Sequence, residues 1–269
     1  MGNVARASRW AWGALSQGLL IAALASPRVC LAGLAQHECD LLVEKADAAR
    51  ERIGDFRASV YTEYSAKEQP TVVRELLVYS KEAGSKMILL FSKPRAEQGK
   101  GYLLVDRNLW FYDPSLGRWE RRTDRDRVGG SSVNRSDFDA PHFTKLYDAS
   151  CEQPEKVGVT EAYRITLRAK PTVEVAFPIL RMWLEKGTYN ELKREQYPLS
   201  GKLMRTDFYS KWKKIFSDAK GGDILYPTEM RYFDELIPGA STLAVVKSVD
   251  LSPITPNTFT KAWLEGKSR

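Results

Sequence analysis

Residues 87–114, MILLFSKPRAEQGKGYLLVDRNLWFYDP, decide the fold class. The stretch holds three short apolar runs, at 87–91, 102–105 and 109–112, separated by Pro94, Gly99 and Gly101. Short apolar runs between turn residues read as strands. Trp110, Phe111 and Tyr112 follow one another directly, and strand alternation sends Trp110 and Tyr112 to one side and Phe111 to the other. Both faces of that strand are therefore expected to be covered.

Working outward, the same grammar continues in both directions. Phe56, Ala58 and Val60 alternate with Arg57 and Ser59, and a similar run fills 72–79. In the second half Tyr163, Ile165 and Leu167 alternate with arginine and threonine, and Leu180, Met182 and Leu184 with Arg181, Trp183 and Glu185. Further strands are predicted around 202–209, 224–233 and 242–251. Ahead of them, Cys39, Leu42, Val43, Ala46, Ala49 and Ile53 recur at helical spacing, and Gly54 supplies a stop. A last short helix holds Phe259, Trp263 and Leu264, with Pro253 and Pro256 fixing its approach. Residues 118–142, dense in charge and then in Gly, Ser and Asn, read as a mobile loop carrying a short helix. The predicted class is mainly β (α+β): a curled antiparallel sheet or incomplete barrel of about ten or eleven strands, covered by a few helices over an apolar cavity.

The N-terminal residues read differently. Arg6 and Arg9 precede an uncharged stretch at 10–25, whose strongly apolar part is shorter than the roughly 20 residues that span a bilayer. Gly33 and Ala35 suit cleavage before Gln36, so 1–35 is expected to be an export signal and 36–269 one periplasmic domain. Cys30 offers the alternative of a lipid anchor, which Pro27, Arg28 and Val29 disfavour. Removing Arg6, Arg9 and Arg28 lowers Lys plus Arg from 41 to 38 against 34 acids, a net charge of +4. A balance that small speaks for solubility and gives no reason to expect nucleic acid. In an oxidising compartment Cys39 and Cys151 either bond or remain buried thiols, and they lack zinc spacing with the two histidines.

Motifs for chemistry are sparse. No G-x-S-x-G elbow, P-loop, G-x-G-x-x-G or H-E-x-x-H run occurs, and His37 and His142 are the only histidines. No metal or organic cofactor is expected, and no enzymatic activity. Lys211, Lys213 and Lys214 around Trp212 suit either a lysine-protected strand edge or a peripheral contact with anionic headgroups. The basic run from Arg118 to Arg127 is interrupted by Glu120, Asp124 and Asp126, which weakens it as a phosphate footprint.

One constellation resembles a known family. Residues 87–91 (MILLF), then Pro94, then Gly101, Tyr102, Leu103 and Leu104, then 108–114 (NLWFYDP), then Arg121 and Arg122 follow in the order seen in LolA-like outer-membrane lipoprotein-sorting proteins. Gly130 with Ser131, the Ser136, Asp137, Phe138 segment, Tyr147 with Asp148, and the closing helix at 259–264 extend the likeness over roughly 50–265. The chain departs from the pattern at 132–135. The resemblance implies an incomplete barrel closed by helices over an apolar cavity that receives acyl chains of lipids or lipoproteins, with an inner-membrane exporter as donor. Acyl chains demand no directional bonds, and each buried methylene contributes about 0.8 kcal/mol, so such a site needs no catalytic group. Alternation places Leu89, Phe91, Trp110, Tyr112, Met182 and Leu184 as the cavity lining. The competing readings are a structural or adhesive envelope protein with a filled core, and a hydrolase with two acidic catalytic residues.

Overall fold

The computed structural model describes residues 34–106, 108–123, 126–138 and 142–268. Cys30 and all of the expected export signal except Leu34 and Ala35 lie outside these residues. The order begins with α1 (Gln36–Glu51), β1 (Phe56–Ser65), β2 (Val72–Lys81), β3 (Lys86–Lys93), β4 (Gly101–Val105), β5 (Asn108–Asp113) and β6 (Arg118–Arg122). It continues with α2 (Phe143–Leu146), β7 (Tyr147–Cys151), β8 (Glu155–Val157), β9 (Thr160–Ala169), β10 (Ile179–Glu185) and β11 (Glu191–Tyr197). β12 (Arg205–Ser217), β13 (Gly222–Asp234), β14 (Ser241–Asp250) and α3 (Lys261–Lys267) complete it.

All fourteen strands join one antiparallel sheet in the order β6-β5-β4-β3-β2-β1-β14-β13-β12-β11-β10-β9-β7, with β8 beside β9. The sheet is mainly meandering, and its one long-range seam is the ladder of β1 on β14, from Arg57 opposite Asp250 to Ser65 opposite Ser241. Four strands lie outside the ten runs read from sequence, against an expectation of about ten or eleven strands. They are β6, β7, β8 and β11, which are short or rich in charge and so carry no apolar alternation.

The register explains why 87–91 is apolar without a break. Ala58, Val78, Leu89, Tyr102 and Phe111 stand opposite one another across β1 to β5 and share the concave face. Tyr79, Ile88, Leu103 and Trp110 form the neighbouring row, which faces outward. Ile254, Phe259 and Leu264 of the C-terminal segment cover that outer row, so a strand buried on both sides needs apolar residues at every position. Gly101 lets α3 seat closely, because a Cβ there would lie 3.1 Å from Leu264 Cδ1 and 2.8 Å from the Leu89 carbonyl oxygen. Thr260 caps α3 by accepting the Trp263 backbone N–H at 3.2 Å.

The other end of the sheet is closed by α1. Cys39, Leu42, Val43 and Ala46 pack onto Ile165, Leu167, Leu180, Met182 and Leu184. Several ties hold the helix there, a disulfide and a buried carboxylate among them. Cys39 and Cys151, left open by the sequence, are joined in a disulfide that anchors α1 to β7. Asp47 accepts the backbone N–H groups of Phe143 at 3.0 Å and Thr144 at 3.1 Å, satisfying free donors at the start of α2.

The loop expected to be mobile is instead tied down in its second part, a correction that its Gly and Ser content concealed. Val128 donates its backbone N–H to the Val133 carbonyl at 2.8 Å, and Val128–Gly130 and Arg135–Phe138 form 3-10 turns. Gly129 N–H reaches the Tyr102 hydroxyl at 3.0 Å, and Ser132 N–H the Thr242 hydroxyl at 2.8 Å.

Because the bond between Cys39 and Cys151 spans 112 residues of chain, its loss is expected to destabilise the protein by about 2–5 kcal/mol. Urea denaturation of the oxidised protein beside the Cys39→Ser, Cys151→Ser double variant measures this. Equal midpoints and slopes would mean that packing alone holds α1.

Candidate functional site

Between α1 and the β1 to β3 end of the concave face lies an open hollow of about 290 Å³. Its size is near the lower end of small-molecule sites, about 300 to 1,000 Å³. Val60, Leu76, Val78, Met87, Leu89 and Phe91 form one wall, and Tyr226, Met230, Ala244 and Val246 the other. The end of α1 contributes Ala46, Ala49, Arg50 and Ile53, and the tied loop contributes Val128, Gly129, Val133 and Phe138. The hollow forms because apolar residues of both sheet halves face the same side of the β1 to β14 seam.

The six residues expected from sequence to line one cavity are divided among three places. Leu89 and Phe91 do line the hollow. Trp110 and Tyr112 are on the outer face, where Lys261 Nζ sits 3.8 Å from the centre of the Trp110 ring and Tyr112 stacks against Trp119 at 4.9 Å. Met182 and Leu184 are under α1, both 0% exposed, in a packed core apart from the hollow. The physical reason for the first division is register: Trp110 stands opposite Leu103, and Leu103 opposite Ile88, so Trp110 shares a face with Ile88 and not with Leu89. For the second, the disulfide and Asp47 hold the helix directly over Met182 and Leu184.

The sequence reading missed a charged belt at the rim and floor. Arg194 grips Glu191 through two bonds, Nε to Oε1 at 2.5 Å and Nη2 to Oε2 at 2.9 Å, and Arg50 Nη1 adds a third at 3.0 Å. Arg205 donates to Asp207 Oδ1 and to Asp137 Oδ2, both at 2.6 Å, while Gln196 donates to the second Asp207 oxygen at 2.7 Å. Its guanidinium also lies 4.8 Å from the Tyr232 ring centre. Burial alone would pull the Arg205 pKa down, but the carboxylates of Asp137 and Asp207 outweigh it and hold the arginine charged. Asp207 has its carboxyl pushed up to about 6, because burial outweighs the attraction of Arg205. Burial likewise raises the Tyr209 and Tyr232 phenols, keeping both neutral. Alternating charges on β11 are the only sequence signal of this belt, and such charges read equally well as a solvated strand.

Chemically the belt is structural. A raised carboxyl pKa marks many catalytic acids, yet Asp207 is 0% exposed and its two oxygens are taken by Arg205 and Gln196. His142 makes none of the belt's bonds given above; its Nδ1 lies 3.4 Å from Glu51. Among the described residues no group of three or more His, Cys, Asp or Glu side chains is placed to hold a metal, and no helix is long and apolar enough to cross a membrane. The cluster around Trp212 separates: Trp212 lines the hollow, Lys211 pairs with Glu229, and Lys213 and Lys214 are exposed.

Comparison with known proteins agrees with this architecture. A family model described as "-like: Uncharacterized protein" matches residues 83–266. No curated protein matches the sequence. Among solved structures, a LolA superfamily protein from Nitrosomonas europaea is 23% identical with a TM-score of 0.68, covering 84% of this chain and 98% of that one. A domain described as an outer membrane lipoprotein-sorting protein, from Vibrio parahaemolyticus, is 19% identical with a TM-score of 0.74 over 86% of this chain and 100% of its own. A DUF1329 family protein from Desulfovibrio piger is 19% identical with a TM-score of 0.74, covering 85% and 98%. At these identities the likeness shows the fold.

The Asp207 shift fixes the sign of a pH effect. A carboxyl whose folded pKa lies above its unfolded value favours folding at low pH, and that contribution is lost as pH rises through the folded pKa. The stability of the wild type relative to Asp207→Asn is therefore expected to fall between about pH 4 and about pH 6 and then level off. Urea midpoints of both proteins across that range measure it, and a difference that rises with pH would reverse the assignment.

Proposed function

We propose, from the premise that this chain belongs to the family whose model spans residues 83–266 and carries the LolA-superfamily fold, that it is an exported, non-enzymatic carrier of acyl chains. The observation that carries this reading is the hollow itself, open to the outside, walled by aliphatic and aromatic side chains, and separate from the packed core beneath α1. A filled sheet of the kind a purely adhesive protein needs would have no reason to leave Leu76, Leu89, Phe91 and Val246 around an open space. The hydrolase reading loses support because two of the three carboxylates that line the hollow, Asp137 and Glu191, are engaged by arginines, which leaves Glu51 without a second free carboxylate there to complete an acidic pair.

The physics of such a site is simple. A methylene chain entering the hollow exchanges water for Leu, Val, Met and Phe contacts, at about 0.8 kcal/mol for each buried methylene. No hydrogen bond has to be broken or remade on entry or exit, so a chain can pass between this site and a membrane donor. The description of the Vibrio relative as a lipoprotein-sorting domain supports acyl chains of lipids or lipoproteins as the cargo. It also supports a periplasmic station, in which residues 1–35 serve as the export signal, 36–269 form the working domain and an inner-membrane exporter supplies the load. Lys213 and Lys214, exposed beside Trp212 at the wall of the hollow, suit approach to anionic headgroups during that exchange.

Two substitutions separate a ligand site from a core. Leu89→Glu places its carboxylate at the wall of the hollow, where Leu89 is 4% exposed, and is expected to abolish binding of a fluorescent fatty acid while costing less stability than the same change in the core under α1. Leu184→Glu buries an unpaired carboxylate among 0% exposed residues and is expected to cost several kcal/mol, a large part of total stability. Thermal melts beside probe titrations read both effects. A wild type that binds no probe, with both variants unfolded, removes the carrier reading.

A further inference from the structure

Among the described residues, one charged side chain lining the hollow has no hydrogen bond or ion pair to another residue. Arg50, Glu51, Asp137 and Glu191 line it and each has an ionisable partner: Arg50 with Glu191 at 3.0 Å, Asp137 with Arg205 at 2.6 Å, and Glu51 beside His142 at 3.4 Å. Arg74 is different. It lies on β2 in the same row as Leu76 and Val78, and among the described residues it makes no hydrogen bond or ion pair, its Nε being buried without an acceptor. The face of Phe91 lies beside it, 5.9 Å from the guanidinium carbon to the ring centre. A buried guanidinium N–H left without an acceptor is costly, and charge-assisted bonds to an oxyanion are the strongest way to satisfy it.

The surroundings point the same way. Thr62, directly opposite Arg74 across the β1 to β2 ladder, and Ser131 and Thr242 all line the hollow, whereas Phe56 and Val78 line it further along β1 and β2, beside Met87 of β3. The other wall polar atoms that lack a partner are Trp212 Nε1 and Asn190 Nδ2, both donors as assigned, so the deficit of this hollow is one of acceptors. A ligand that brings oxygen acceptors and negative charge offsets that deficit, and one with an ammonium head does not.

We propose that Arg74 is a specificity-determining residue that seats the oxyanion head of an anionic amphiphile, a carboxylate or a phosphate, while its chain fills the apolar part of the hollow. This inference rests on the carrier reading and narrows it by the charge of the head. A bidentate guanidinium to oxyanion contact, shielded from water by Phe91 and the loop at Gly129, would orient the chain toward Val78 and Met87.

The test compares twelve-carbon ligands that differ only in the head: dodecanoate, dodecyl phosphate, dodecanol and dodecylammonium, each titrated by calorimetry below its micelle concentration. The wild type is expected to bind dodecanoate or dodecyl phosphate at least about tenfold more tightly than dodecanol, with dodecylammonium weakest. The tighter of the two anions identifies the head. In Arg74→Gln the anion preference over dodecanol is expected to vanish while dodecanol affinity stays the same. Equal binding of acid and alcohol by the wild type overturns the role of Arg74 and leaves the carrier reading standing. Binding of none of the four overturns both. If Arg74→Gln fails to fold, the wild-type head series still decides.

Discussion

One helix covers only part of a very wide concave face, and the rest of the structure follows from that shortfall. An α-helix with its side chains is about 10–12 Å across, whereas neighbouring strands repeat about every 4.8 Å. The thirteen strands in sequence along the sheet therefore present far more concave surface than α1 can bury. The Cys39–Cys151 disulfide and the Asp47 bonds to α2 fix the helix over β7, β9 and β10, so the uncovered part falls at β1 to β3 and β13 to β14. A hollow at that place is thus a consequence of where the helix is anchored.

The remaining parts serve to keep that hollow open and bounded. The outer face of β3 to β5 is sealed by Ile254, Phe259 and Leu264, which lets the inner row of Leu89, Phe91 and Tyr102 stay rigid without help from a ligand. The tied loop at 126–138 forms a roof over part of the opening, held through the Tyr102 and Thr242 hydroxyls. The Arg194 and Arg205 clusters hold Glu191 and Asp137, the carboxylates that they engage at the wall of the hollow. Each depends on completed pairs, since removing one partner of a buried ion pair typically costs about 3–5 kcal/mol.

Much of this was legible in the sequence, and the missing parts have definite causes. The alternating run at 56–60, the short apolar runs at 72–79 and 87–91, the helical spacing of Cys39 to Ile53, and the order of 87–91, Pro94 and 108–114 carried the class of fold. Burial of β5 on both faces was legible in the succession Trp110, Phe111, Tyr112. Which face met the hollow was not. The two-residue connection that puts Val105 opposite Asn108 fixes Trp110 opposite Leu103, but the register of Leu103 on β3 is set across 94–100, where loop length gives no parity. Met182 and Leu184 carried the same alternation as Leu89 and Phe91, and only the position of α1 makes them core. Strand β11 and the arginine clusters were hidden because buried salt bridges have the composition of a solvent-exposed segment. Arg74 had no sequence signal at all, since its lack of a partner is a property of its neighbours in space.

The central claim is that an apolar chain occupies the space beside α1 and leaves the core under it untouched. Intermolecular nuclear Overhauser effects between carbon-13-labelled dodecanoate and methyl-labelled protein test it directly. The account predicts contacts from the chain to the methyls of Val60, Leu76, Leu89 and Val246, and none to Leu167, Leu184 or Leu264. Contacts to the core methyls under α1, or to the outer face at Leu264, would contradict it.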